Sequence, residues 1–145
     1  ATAAFLLVGL STTAAAHADV FMKVTGAPGE ATVRGYEQQI VLSGASLNLS
    51  NMIVPDETGA MTPYRMAGPV MVTKSPDRAS PRLALAAIEG GQLGEVEITF
   101  TQPGRGGHQV KARWILEGAQ VRSFSVYPGA APGDAPSETV EIAYT

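Results

Sequence analysis

The chain has 145 residues, 45% apolar and 16% charged, with a formal net charge of −3 and no cysteine. That length fits one domain with its own core, and the acidic balance excludes a basic face of the kind that neutralises nucleic-acid phosphates. The missing cysteines exclude a disulfide scaffold and a cysteine-liganded zinc site, while 16 glycines and 10 prolines lean toward a mainly β protein with short turns.

Residues 1–18 stand apart because they carry no charged side chain. Ala4-Phe5-Leu6-Leu7-Val8-Gly9-Leu10 is an apolar block, and Ala16-His17-Ala18 has the small-x-small form that a leader peptidase accepts. The block is too short to cross a bilayer comfortably as a helix, so no stable membrane span is expected. Two fates fit: an export leader cut after Ala18, or a retained apolar arm buried against a neighbouring subunit. The expected division is a leader or arm over 1–18 and a folded domain over 19–145.

Residues 19–25 alternate, with Val20, Met22 and Val24 on one face and Phe21, Lys23 and Thr25 on the other, as a strand does. Gly26-Ala27-Pro28-Gly29 is a turn by its chemistry. Residues 32–51 read as a long strand with a change of phase at Gly44 that suits a bulge. Residues 52–68 hold Pro55, Gly59 and Pro63 without a sustained period, which predicts a loop longer than an ordinary connection.

A short strand over 69–74 leads through the charged turn Lys74-Ser75-Pro76-Asp77-Arg78 to a helix over 81–89. Ser80 is placed to cap that helix, Pro81 suits its first position, and Gly90-Gly91 ends it. Leu83, Ala84, Ala87 and Ile88 are expected on its buried side. Val96, Ile98 and Phe100 should point inward from the next strand, with Glu95, Glu97, Thr99 and Thr101 outward. The glycine turn at 103–108 makes a hairpin with Val110, Ala112, Trp114 and Leu116 on the inner face of its second strand. Acidic and basic residues across that hairpin should pair. A kink at Gly118, a strand over 121–127, a loop over 127–136 and a final strand over 139–145 complete the chain.

Catalytic chemistry finds little to stand on. His108 lies in a glycine turn with no carboxylate close in sequence, so neither a metal site nor a catalytic imidazole is expected. The glycines at 104–107 lead into a strand and not a helix, which argues against a phosphate cradle. Glu95 and Glu97 sit on an outward strand face where carboxylates are ordinarily solvated. Asn48-Leu49-Ser50 matches a glycosylation acceptor inside a strand, and Trp114 belongs to the core set. No cofactor and no enzymatic activity are expected.

Three segments in order carry a resemblance. Val20-Phe21-Met22-Lys23-Val24-Thr25-Gly26-Ala27-Pro28-Gly29-Glu30, then Thr73-Lys74-Ser75-Pro76-Asp77-Arg78-Ala79-Ser80-Pro81-Arg82-Leu83, then Ser137-Glu138-Thr139-Val140-Glu141-Ile142-Ala143-Tyr144 resemble the Hcp tube proteins of type VI secretion systems. Tyr36 stands where the family usually carries a histidine. The resemblance implies a compact β-barrel of two packed antiparallel sheets with one short α-helix, and a subunit of six-membered rings that stack into a hollow tube or extracellular filament. It implies a stacking loop containing Pro55, Asp56, Glu57, Met61, Tyr64 and Arg65. Its implied partners are the protein itself and secreted effector or spike proteins. Most members lack a cleavable leader, so the apolar start places this chain in the periplasm or outside the cell, or in the cytoplasm before export if it is a type VI component. The alternative is a monomeric exported β-barrel module that binds or carries another protein.

Overall fold

The computed structural model describes residues 19–145, so the leader or arm expected over residues 1–18 lies outside the described residues. Strand β1 (Val20–Val24) is sandwiched between β2 (Ile40–Pro55) and β4 (Gln92–Gly104), antiparallel to both. Strand β3 (Met61–Lys74) returns along β2, and β6 (Ser137–Ala143) joins β3 to β5 (Gly107–Tyr127). The order β1-β2-β3-β6-β5-β4 closes on itself. The two expected sheets are therefore one continuous barrel, and closure removes edges that would otherwise invite aggregation.

Alternation fills the barrel. Met22, Ile40, Leu42, Val70, Val72, Val96, Ile98, Leu116, Val140 and Ile142 are buried in one cluster, with Phe100, Trp114 and Phe124 packed against it. Phe100 and Trp114 meet edge to face with centroids 4.6 Å apart, which gives Trp114 the core position expected of it. The phase change near Gly44 is a register shift between Leu42 and Gly44. The expected cross-hairpin charge pair is made by Arg113 Nε, 3.0 Å from Glu97 Oε1.

Helix α1 (Ser80–Glu89) buries a stripe at Ala79, Leu83 and Ala86, and Gly90 ends it in the left-handed conformation at φ 67°. Ile88, expected on the buried side, is 84% exposed. At 100° per residue it lies 140° around the helix from Leu83, whereas Ala86 lies within 60°. The N-cap is Ala79, and Ser80 makes no capping bond.

Other expectations are corrected by tertiary context. Residues 32–39 are turn and not strand, with Gly35 at φ 91° and Gln38 at φ 61° breaking the extended path. Thr99 and Thr101 are buried although they face away from the barrel interior, because outer layers cover them. Thr99 pairs with Phe21, whose ring is stacked by Tyr36 at 4.5 Å and approached by His108 edge-on at 6.0 Å. Val110, expected inside, is exposed because the β4–β5 hairpin runs beyond the core.

The largest correction concerns 52–68. This is a two-stranded ribbon, with only 56–60 left as its turn. Proline and glycine read as loop residues because they break a ladder bonded on both sides. Here each strand of the ribbon pairs on one side only, and Gly68-Pro69 falls at a register shift between Leu47 and Leu49.

Candidate assembly interface

The ribbon begins where β2 passes the end of β1. Val20 pairs with Leu42, but β2 continues to Pro55 with β3 as its partner. On its other side β3 meets β6 only from Val70 onward. Residues 61–69 therefore have an outer edge with no strand partner among the described residues.

Directly paired residues of an antiparallel ladder share a face. One face carries Leu49 opposite Ala67, Asn51 opposite Arg65, Ile53 opposite Pro63 and Pro55 opposite Met61; the other carries Ser50 opposite Met66, Met52 opposite Tyr64 and Val54 opposite Thr62. Both faces are predominantly apolar, and Leu49, Ile53 and Met61 on one and Tyr64, Met52 and Met66 on the other are all exposed. A two-stranded ribbon has marginal stability alone in water, and one with two apolar faces gains most by being covered on each. At its base the Gly68-Pro69 bulge opens a groove of about 630 Å³ against Leu47 and Asn48. Gly68 admits this close approach, since a Cβ there would lie 2.9 Å from the Asn48 carbonyl oxygen.

The tip is preorganised. Asp56 Oδ1 accepts hydrogen bonds from the Thr58 N–H at 2.8 Å, the Thr58 hydroxyl at 2.6 Å and the Ala60 N–H at 2.9 Å. The Thr58 hydroxyl bond, backed by the Thr58 N–H, holds the Asp56 carboxyl below its ordinary range. Of the six expected stacking residues, Asp56 thus spends its carboxylate on the turn. Glu57 lies in the turn, while Pro55, Met61 and Tyr64 are exposed on the paired strands, and Arg65 is placed by its backbone pairing with Asn51.

The root of the ribbon is fixed by a buried ionic cluster whose far partner, Glu138, is brought in only by the fold. Lys74, at the end of β3, is fully buried, and its Nζ lies 2.6 Å from Glu138 Oε2, 2.8 Å from Ser80 Oγ and 2.9 Å from Asp77 Oδ1. Those contacts use all three ammonium donors. Ser80 Oγ also accepts from the Asp77 N–H at 3.0 Å and donates to Glu138 Oε2 at 2.7 Å. Asp77 Oδ1 accepts the Ala79 N–H at 3.0 Å, doing for the helix start what Ser80 was expected to do. Arg78 reaches the Gly29 carbonyl with Nε at 3.2 Å and Nη2 at 2.9 Å. One short charged segment therefore ties together β3, β6, α1 and the turn after β1.

His108 does find a carboxylate, brought from 89 residues away: Asp19 Oδ2 lies 2.6 Å from its Nε2. This contact clasps the β4–β5 hairpin to the start of β1. No group of three or more metal-ligating side chains occurs among the described residues.

The family model for "Type VI secretion system effector, Hcp" matches residues 21–145. The chain belongs to the Hcp family. Among solved structures it is similar to one titled "Structure of a type six secretion system protein", with 26% identity, TM-score 0.77, and coverage of 88% of this chain and 80% of that one. It is also similar to an Hcp1 protein from E. coli EAEC 042, at 25% identity, TM-score 0.70 and coverage of 90% and 87%. Secreted protein Hcp3 from Pseudomonas aeruginosa shares the fold at 24% identity, TM-score 0.67 and coverage of 88% and 86%. Comparison with curated proteins gave no match. Hcp proteins are a structural, secreted family of the type VI system, and no helix among the described residues is long and apolar enough to cross a membrane.

Proposed function

We infer that this Hcp-family protein is a structural subunit that assembles into rings, and that the rings stack through the β2–β3 ribbon into a hollow tube or extracellular filament. The observation that carries the reading is the ribbon apolar on both faces, with Met52 and Tyr64 exposed on one and Ile53 and Met61 on the other. Burying such surface stabilises by roughly 25 cal/mol per Å², so covering both faces is a strong drive to associate. Pro55, Glu57, Met61, Tyr64 and Arg65 supply the contacts to the next ring, and Asp56 shapes the tip that delivers them. The principal partner is a second copy of this chain, with secreted effector or spike proteins as cargo.

The protein acts by assembly and carries out no catalysis. Ser80 beside Lys74 has the residue types of a serine–lysine dyad, but that chemistry needs a lysine free to take a proton. Here Nζ is enclosed by two carboxylates and serves as their counter-ion. Its place of work is outside the cytoplasm. A monomeric carrier module would leave the ribbon uncovered on two sides, which disfavours that alternative.

Negative-stain microscopy of the purified protein over a concentration series tests this function. Rings and stacked tubes are the expected particles. A uniform monomer at every concentration would overturn it.

A further inference from the structure

We propose that helix α1 of one subunit seats its outer face in the groove at the base of the β2–β3 ribbon of a second copy. This is the lateral contact between neighbours in a ring. It rests on the assembly reading above and supplies a contact that the ribbon, as a stacking element, leaves open.

The helix carries two apolar stripes. Leu83 and Ala86 are buried on the barrel, while Pro81, Leu85 and Ile88 face the other way and are exposed. At 100° per residue those three lie within about 60° of one another. Their i, i+4, i+7 spacing is the one by which a helix anchors in a groove. A helix apolar on opposite sides gains most when both are covered. Its only charged residues, Arg82 and Glu89, border the exposed stripe on one side.

The groove has the matching chemistry. Leu47, Met66, Ala67, Pro69 and Met71 line it, and both methionines are exposed. Unbranched methionine side chains adapt to the shape of an inserted residue. Met71 pairs with Glu141, whose Oε2 accepts the Ser123 hydroxyl at 3.2 Å. Glu141 joins no ion pair among the described residues. Arg82 precedes Leu85 by about one turn. With Leu85 and Ile88 seated against Met71 and Met66, the guanidinium of the docked helix meets the Glu141 carboxylate.

One subunit cannot make this contact with itself. Helix α1 packs against β5, and in the order β1-β2-β3-β6-β5-β4 strand β5 stands across the barrel from β2. The stripe and the groove therefore lie on opposite flanks. Joining two different surfaces leaves one of each free after every addition, so copies add head to tail until the rotation closes a ring.

The chain has no cysteine, so cross-linking probes the contact directly. Met66→Cys/Ile88→Cys treated with a short bismaleimide should give a ladder of covalent multimers, and each single variant should give none. Arg82→Glu should lose ring-sized species in sedimentation velocity, and Arg82→Glu/Glu141→Arg should regain them. Ile88→Asp should lose them with an unchanged circular dichroism spectrum. Wild-type rings without a ladder from the double cysteine variant, or a ladder from either single variant, would overturn the docking and leave the assembly reading standing. A ladder together with undiminished tubes in Met52→Glu/Ile53→Glu supports the docking and contradicts only stacking through the ribbon.

Discussion

Lys74 and Glu138 lie 64 positions apart in the chain, yet their charged atoms sit 2.6 Å apart inside the barrel. They are directly paired across the β3–β6 ladder, so they join the root of the ribbon to the C-terminal strand. Removing one member of a buried ion pair leaves an uncompensated charge and costs about 3–5 kcal/mol. Lys74→Met and Glu138→Leu should each destabilise the barrel by that order in urea denaturation. The double variant should recover much of the loss, because the two apolar side chains can pack together. Additive losses would show that the two residues act independently.

Gly29 and Gly44 should respond oppositely to a methyl group. A Cβ on Gly29 would sit 2.5 Å from both the Gln39 carbonyl oxygen and the Ile40 Cα, whereas one on Gly44 meets nothing within 4 Å. Gly29→Ala must push apart backbone that Arg78 also clamps, at a cost of about 1–3 kcal/mol. Gly44→Ala should be close to neutral. Thermal melts of the two variants distinguish them, and equal shifts would contradict this packing.

Tyr36 covers Phe21, which is 1% exposed although it faces away from the barrel interior. Tyr36→Ala should lose the stacked ring and uncover Phe21, at about 1–2 kcal/mol. Tyr36→His keeps a flat ring in place and should lose less. Chemical denaturation of both variants checks the order.

Asp56 gives the hairpin tip a pH dependence. Its carboxyl is held below the ordinary value, first by the Thr58 hydroxyl and then by the Thr58 N–H. The ionised form is thus favoured in the folded tip. The stabilisation is fully present above the unfolded carboxylate value and is lost as pH falls through the lower folded one. The Thr58 and Ala60 amide signals in NMR should titrate below the usual aspartate range, and Asp56→Ala should abolish that titration. A midpoint at or above the ordinary value would contradict the hydrogen-bonded turn.

Much of this fold was legible in the sequence because local rules and tertiary packing agreed. Val96, Ile98, Val140 and Ile142 alternate as buried strands must, and Gly90 stops the helix where its φ requires. The failures have physical causes. Pro55, Pro63 and Gly68 signalled a loop, yet a ribbon bonded on one side of each strand tolerates them. Thr99 and Thr101 looked solvent-facing because their cover comes from Phe21, Tyr36 and Asp19, which are far away in sequence. Ser80 was legible as a helix-start residue, but its engagement with Lys74 and Glu138 depends on the closing of β3 against β6. The proposed stacking residues came from the family resemblance, and the two-faced apolar pattern that motivates the proposal emerges only once the register pairs Met52 with Tyr64 and Ile53 with Pro63.

Assembly through the ribbon is tested most directly by sedimentation velocity on the wild type and the Met52→Glu/Ile53→Glu variant, which places one charge on each apolar face. Both sites are exposed in the single subunit, so the variant should keep the folded barrel. The account predicts ring-sized and larger species for the wild type and smaller species for the variant. A wild type that stays monomeric at high concentration, or a variant that assembles as fully as the wild type, would contradict it.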